Sequence, residues 1–82
     1  MTLTVLYFAK ARELAGTSEE RIQFTAEPPT LRRLMQELTQ RHPLLAGALE
    51  CMRVARNEEF AELDDVAAEN DVIALIPPVA GG

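Results

Sequence analysis

The chain has 82 residues and a formal net charge of −5, with 48% hydrophobic and 26% charged residues. A chain this short buries a single core, and its ordinary apolar content argues against disorder. Because no basic run exceeds the Arg32-Arg33 pair, nucleic-acid binding is not expected. The single cysteine, Cys51, excludes an intrachain disulfide. The N-terminal segment is typical of neither a signal peptide nor a membrane span, so we expect a cytoplasmic protein.

The first 25 residues predict a hairpin-like strand pair with a short helix between the strands. Residues 2–8 alternate with apolar side chains on both faces, which is typical of a central strand with a largely covered second face. Strong helix formers fill residues 9–15 and stop at Gly16, which can take the left-handed conformation of a helix C-cap. Alternation then returns over residues 20–25 and predicts the second strand.

The main helix is predicted after Pro28-Pro29, with Thr30 as its N-cap. It should end near Arg41, because Pro43 disfavours helical geometry at the residue before it. Apolar residues with helical spacing support this helix, namely Leu31, Leu34, Met35 and Leu38.

The second half of the chain predicts two further strands. Residues 44–50 indicate a loose turn or a second short helix, and residues 52–55 a strand that leads into a turn at residues 57–59. After another turn at Asn70-Asp71, the β-branched and aliphatic residues 72–76 form the strand with the most buried character. The resulting order predicts an α+β fold with a mixed sheet packed on one main helix.

Few side chains could carry chemistry. His42 is the sole histidine and Cys51 the sole thiol, so no metal site is expected, and a Cys/His pair requires distant segments to meet. We interpret His42 as a helix-end residue and Cys51 as a small buried hydrophobe. The acidic pairs Glu58-Glu59 and Asp64-Asp65 are interpreted as solvated turns. No catalytic side chain is therefore predicted.

The C-terminus is the strongest functional signal. Pro77-Pro78 cannot continue a sheet ladder and holds the following chain extended. Gly81 and Gly82 carry no Cβ, so an extended backbone can pass through a narrow channel to a reaction centre. Once another enzyme activates the terminal carboxylate as an acyl-adenylate, it becomes an acyl donor to sulfur or nitrogen.

The segment from Val5 to Gly16, the main helix with His42-Pro43, and the segment from Asp71 to Gly82 together resemble the molybdopterin synthase small subunits, a family of ubiquitin-like β-grasp sulfur carriers. The resemblance covers the whole chain. It implies a single β-grasp domain over residues 1–82, with short extra helices and residues 77–82 as a protruding tail. Two positions depart from the family pattern: Asn70 replaces the usual Gly, and Ala80 replaces a small hydroxylic residue. Asn tolerates left-handed geometry and Ala is also small, so neither substitution conflicts with the resemblance.

The resemblance also implies a chemistry. A ubiquitin-activating-type enzyme would use ATP to adenylate the Gly82 carboxylate, and a sulfur donor protein would allow its conversion to a thiocarboxylate. The tail, including Ala80 and Gly81, would insert into a large catalytic subunit and deliver sulfur to cyclic pyranopterin monophosphate in molybdenum cofactor biosynthesis. Two small and two large subunits would form the assembly. The chain would bind no cofactor and would act as a non-catalytic sulfur-donating subunit.

Candidate residues for the docking surface lie near the tail. At least one of Leu75 and Ile76 must face the core, because neighbouring strand residues point in opposite directions. An apolar patch beside a functional tail suits a partner interface, whereas a solvated helix residue is an equally good interpretation of Arg12. The candidates are Arg12, Leu75, Ile76, Pro78 and Val79.

Three alternatives stay open at this point. The chain could carry sulfur for thiamine, tRNA thiolation or cysteine synthesis. It could be a protein modifier whose Gly82 forms an isopeptide bond with target lysines, which needs the same tail. It could also be a binding module with an inert C-terminus, and such a module would tolerate a residue added after Gly82.

Overall fold

The computed structural model describes residues 1–78. Five strands and two α-helices follow one another in the order β1 (Thr2–Tyr7), α1 (Ala9–Ala15), β2 (Glu19–Gln23), α2 (Leu31–Arg41), β3 (Arg53–Arg56), β4 (Glu59–Phe60) and β5 (Val72–Ile76). Between α2 and β3 lie two single turns of 3₁₀-helix, Pro43–Leu45 and Leu49–Cys51.

The five strands form one mixed sheet in the order β2-β1-β5-β3-β4. The central strand β1 pairs antiparallel with β2 and parallel with β5, and β5 pairs antiparallel with β3. The apolar stripe of α2 packs into the same core as the inward residues of the strands. This arrangement confirms the predicted α+β, ubiquitin-like β-grasp fold and the central position of the first strand.

Local sequence signals explain where the helices begin and end. The Thr30 hydroxyl oxygen accepts a hydrogen bond of 3.1 Å from the Arg33 backbone N–H, which satisfies one donor at the start of α2. Gly16 follows α1 with a φ of 77°, in the left-handed region, and its N–H donates to the Arg12 carbonyl oxygen. Both predicted caps are therefore confirmed.

The core lies between α2 and one face of the sheet. Strands β1 and β5 contribute every second residue to it, and α2 contributes residues at helical spacing. Seven of these side chains are fully buried, at 0% exposure: Leu3, Val5, Leu31, Leu34, Leu38, Ile73 and Leu75. Ala11 of α1 and Leu45 of the first 3₁₀ turn are buried to the same extent.

The structure differs from the sequence predictions in three places. Strand β4 was not predicted, and the segment predicted as a loose turn or short helix forms two 3₁₀ turns. The prediction that residues 72–76 are the most buried strand was wrong, because only Ile73 and Leu75 of β5 are buried while Val72 is 37% exposed. Asn70 has a φ of 67°, which agrees with its expected tolerance of left-handed geometry.

Candidate functional site

Strand β5 leads directly to the predicted functional tail. It runs parallel to β1, so both strands end at the same edge of the sheet, β1 at Tyr7 and β5 at Ile76. Pro77 and Pro78 then leave the strand. The remaining predicted site residues, Val79, Ala80, Gly81 and Gly82, lie outside the described residues.

The side of the sheet opposite α2 carries apolar side chains near this edge. Leu6 of β1 lies opposite Ala74 of β5, and Ala74 lies opposite Ala55 of β3. Across the outer hairpin, Ala55 in turn lies opposite Phe60 of β4. Because paired residues share a face of a sheet, these four positions form one row on the open side.

Three members of that row and three neighbouring side chains, all exposed or partly buried, form a patch that we call the docking face. Phe8 is 49% exposed and Phe60 is 60% exposed, values that are unusual for aromatic residues in so small a domain. A shallow depression of about 250 Å³ lies between them, with Glu58 as its only charged lining residue. The docking face consists of Leu6, Phe8, Phe60, Val72, Ala74 and Ile76.

The docking face has the properties of a surface that binds another protein. Contiguous exposed apolar surface often marks a site at which a partner protein covers the side chains and removes them from water. Phe8 directly follows β1, and Ile76 directly precedes Pro77. The docking face therefore reaches the point where the tail leaves the sheet.

The structure separates the sequence-predicted docking residues. Leu75 is fully buried beneath the sheet, so it belongs to the core and its assignment to a docking surface is corrected. Its neighbour Ile76 points to the other side and lines the docking face, and Pro78 is exposed. Arg12 is exposed on α1, and among residues 1–78 it takes part in no ion pair.

Sequence reasoning missed Phe8 and Phe60 as site residues. The alternation of β1 places Phe8 on the same face as Leu6. That pattern was interpreted as a covered second face, whereas no element of the described chain packs over the Phe8 side. The position of Phe8 at the end of the alternating first strand was the available signal, whereas Phe60 gave none, because β4 has only two residues.

A polar cluster lies at the margin of the core, on the α2 side of the sheet. The Tyr7 hydroxyl donates a 2.9 Å hydrogen bond to Glu20 Oε1, and His42 Nε2 lies 2.9 Å from the same oxygen. The Arg41 guanidinium is 3.7 Å from Glu20 Oε2. The rings of Tyr7 and His42 meet edge to face with centroids 5.8 Å apart.

This cluster shifts two pKa values. Burial, together with the hydrogen bond to Glu20 and its negative charge, raises the pKa of Tyr7 well above its usual range. Burial also acts to raise the pKa of Glu20, but hydrogen bonds with His42 and Tyr7 and the positive charges of His42 and Arg41 outweigh it. The pKa of Glu20 is consequently lowered. The cluster is a structural feature, since Tyr7, Glu20 and His42 join β1, β2 and the end of α2.

The two residues considered for nucleophilic chemistry have other roles. His42 is the C-cap of α2, as predicted, and its N–H donates to the Leu38 carbonyl oxygen. Cys51 is exposed in the second 3₁₀ turn, so its interpretation as a buried hydrophobe was wrong; that short turn contributes no buried residue. Within residues 1–78, no three His, Cys, Asp or Glu side chains are grouped to hold a metal ion. No helix in that range could cross a membrane.

Comparison with known proteins gives consistent results. The family model described as the ThiS family matches residues 5–82. A Homo sapiens protein named molybdopterin synthase sulfur carrier subunit is 41% identical over 81 residues, which cover 95% of this chain and 91% of the relative.

Two solved structures share the fold and the length of the chain. SAMP1 of Haloferax volcanii, small archaeal modifier protein 1, is 29% identical with a TM-score of 0.90, covering 100% of both chains. A chain in the complex of subunits 1 and 2 of the molybdopterin-converting factor from Helicobacter pylori is 25% identical with a TM-score of 0.72, again covering 100% of both chains. On the family match over nearly its whole length, and on relatives named molybdopterin synthase sulfur carrier subunits, the chain belongs to the ThiS family of β-grasp proteins.

Proposed function

We propose that this protein is the sulfur carrier subunit of a molybdopterin synthase. The observation that carries the proposal is its full-length similarity to a protein of that name, at 41% identity. An apolar face next to the strand that leads to the C-terminal tail supports the proposal. The lone cysteine agrees with work in the reducing cytoplasm.

In the proposed reaction, the chain supplies a reagent and its partners supply the catalytic groups. An oxygen of the Gly82 carboxylate attacks the α-phosphorus of ATP in the activating enzyme, and pyrophosphate leaves. A sulfur donor at the oxidation level of sulfide then attacks the acyl carbon. The bond from that carbon to the AMP oxygen breaks, so AMP leaves and the terminus becomes a thiocarboxylate.

The second stage takes place in the large subunit. The thiocarboxylate sulfur is transferred to cyclic pyranopterin monophosphate, and water replaces it at the acyl carbon, which regenerates the carboxylate. We propose that the docking face, together with Pro78 and Arg12, binds the large subunit, in an assembly of two small and two large subunits. The H. pylori relative is named in a complex of subunits 1 and 2, which supports a large partner of this kind.

Conversion of the precursor in a purified system tests this function. The thiocarboxylated chain and the cognate large subunit should convert cyclic pyranopterin monophosphate to molybdopterin, with release of the carboxylate form. The matched control is the same chain with one Ala added after Gly82, which should give no product because the reacting carboxylate is displaced. Conversion by the extended chain, or none by the native one with a large subunit of proven activity, would contradict the proposal.

A protein modifier is the second candidate, favoured by the likeness to SAMP1 of H. volcanii, a small archaeal modifier protein. The two functions share the acyl-adenylate and differ in the nucleophile, which is sulfur in one and a lysine amine in the other. After incubation with activating enzyme, ATP and cell extract, peptides in which Gly82 is joined by an isopeptide bond to a lysine side chain would identify a modifier. A carrier alone would leave no such peptides.

A further inference from the structure

The part of the docking face on β4 has little backbone support. Strand β4 is the edge of the sheet and contains two residues, which pair as Ala55 with Phe60 and Arg56 with Glu59. The intervening turn has Asn57 at a φ of 51° and Glu58 at 72°. Two residues with positive φ are characteristic of a tight hairpin turn, and a two-residue strand on such a turn is a weak unit by itself.

Two polar side chains tie this turn to the segment before β5; we call Asn57 and Asp71 the clasp. Asn57 Nδ2 donates to Asp71 Oδ1 at 2.9 Å, and the Val72 N–H donates to Asn57 Oδ1 at 2.9 Å. The Asn57 N–H also donates to the Val72 carbonyl oxygen at 2.8 Å. Since the paired residues of β3 and β5 end at Arg56 and Ile73, the clasp continues that connection past the end of the ladder.

Asp71 is the single buried polar residue in the part of the chain that the structure describes, at 7% exposure. Its Oδ2 accepts a 2.8 Å hydrogen bond from the Ala68 N–H, and Arg56 Nε lies 3.8 Å from the same oxygen. A buried carboxylate with partners on both oxygens holds its neighbours in one geometry, because any displacement leaves a charge without hydrogen bonds.

The clasp therefore acts on the hairpin that carries Phe60. The Phe60 ring is covered on one face by the Arg53 guanidinium, whose central carbon lies 3.7 Å from the ring centroid. Beyond Phe60, the Ala61 N–H donates to the Val54 carbonyl oxygen at 2.9 Å. An exposed aromatic ring that is already ordered in the free protein loses less conformational entropy when a partner covers it.

We infer that Asn57 and Asp71 are positioning residues for partner binding, because the clasp fixes the β3–β4 hairpin so that Phe60 is presented on the docking face. This inference rests on the proposed function, since it takes the large subunit as the protein that covers this face. The clasp makes no contact with the partner in this account and acts through Phe60 alone.

A double-mutant cycle tests the inference. Asn57→Gly keeps the left-handed turn, which Gly adopts without strain, and removes both side-chain hydrogen bonds. Affinity for the cognate large subunit is measured by calorimetry well below the melting temperature of every variant, for Asn57→Gly, Phe60→Ala and the double variant. We expect Asn57→Gly to weaken binding roughly tenfold, the effect of about 1.4 kcal/mol. In the Phe60→Ala background, the same change should have no further effect.

The matched control is Tyr7→Phe, which removes a partly buried hydrogen bond of the same length on the other side of the sheet. It should lower thermal stability and leave affinity unchanged. If Asn57→Gly lowers stability with no loss of affinity, or weakens binding equally with and without Phe60, the positioning role is wrong. If Phe60→Ala itself binds like the native chain, the docking face of the proposed function fails instead.

Discussion

The two faces of the sheet are built from the same strands but differ in how far their side chains are buried. On the α2 side, β1 and β5 bury Leu3, Val5, Ile73 and Leu75 completely. On the opposite side, Leu6 of β1 and the alternate residues Val72, Ala74 and Ile76 of β5 are apolar as well, and they line the open depression of the docking face. In so small a domain, one helix can cover only one face, so the apolar side chains of the second face stay exposed in the described chain. We propose that a partner covers them.

The strand β5 offers the largest contrast between the faces, at adjacent residues. Leu75→Ala should lower the free energy of unfolding by about 2–5 kcal/mol, because it leaves a cavity in the core. Ile76→Ala should cost less than about 1.5 kcal/mol, since Ile76 is only partly buried on the open side. Urea denaturation of both variants measures the difference. Equal losses would mean that the two faces are not distinct.

Affinity for the large subunit should depend on side chains of the open face. Phe8→Ala is expected to weaken binding of the large subunit by about 1–2 kcal/mol, roughly tenfold, because truncating an aromatic residue within an interface removes contact area. Leu44→Ala is the control, since Leu44 is 71% exposed and lies in a 3₁₀ turn away from the docking face. Isothermal calorimetry gives both affinities. A loss with Leu44→Ala as large as with Phe8→Ala would remove the special status of the docking face.

Low pH should lower the free energy of unfolding through Glu20, on the α2 side of the sheet. Because the pKa of Glu20 is lowered in the folded chain, its ionised form stabilises the fold above the unfolded pKa of about 4.3. That contribution disappears as the pH falls through the lower folded pKa. Glu20→Gln should therefore cost about 1 kcal/mol near neutral pH, with the gap from the native chain closing in acid. A gap in the unfolding free energy that is the same at every pH would contradict this assignment.

The smallest effect is expected at the bend that leaves Phe8 on the open face. Ala9 follows it with a φ of 48°, where a residue with a Cβ is strained. Ala9→Gly should relieve that strain and raise the free energy of unfolding by roughly 0.5 kcal/mol, after the greater entropy of Gly in the unfolded chain is subtracted. Ala15→Gly, within the same helix, should instead lower it by about 0.5–1 kcal/mol. Thermal melts that shift both variants downward would refute the assigned strain.

The fold was predictable where periodicity extended over several residues. Strand β1 and helix α2 have patterns of six and eleven residues, which suffice to indicate both the element and its buried face. Strand β4 has two residues, too few for a period. Its pairing depends on a turn whose second residue is Glu58 at positive φ, a geometry that Glu does not signal.

The site was predictable in part. The sequence indicates the tail by its Pro-Pro and Gly-Gly pairs, but alternation alone does not distinguish a face covered by a helix from one that awaits a partner. The Tyr7, Glu20 and His42 cluster was not predictable, because its hydrogen bonds join residues 13 and 22 positions apart. The clasp is equally non-local, since Asn57 and Asp71 are 14 positions apart.

The central claim is that the C-terminal carboxylate of this chain carries sulfur. Intact mass spectrometry after incubation with ATP, an activating enzyme and a sulfur donor tests it most directly. We predict a gain of about 16 Da, from replacement of one terminal oxygen by sulfur, and no gain in the chain that lacks Gly82. An unchanged mass, with enzyme and donor that thiolate a known carrier in the same mixture, would contradict the account.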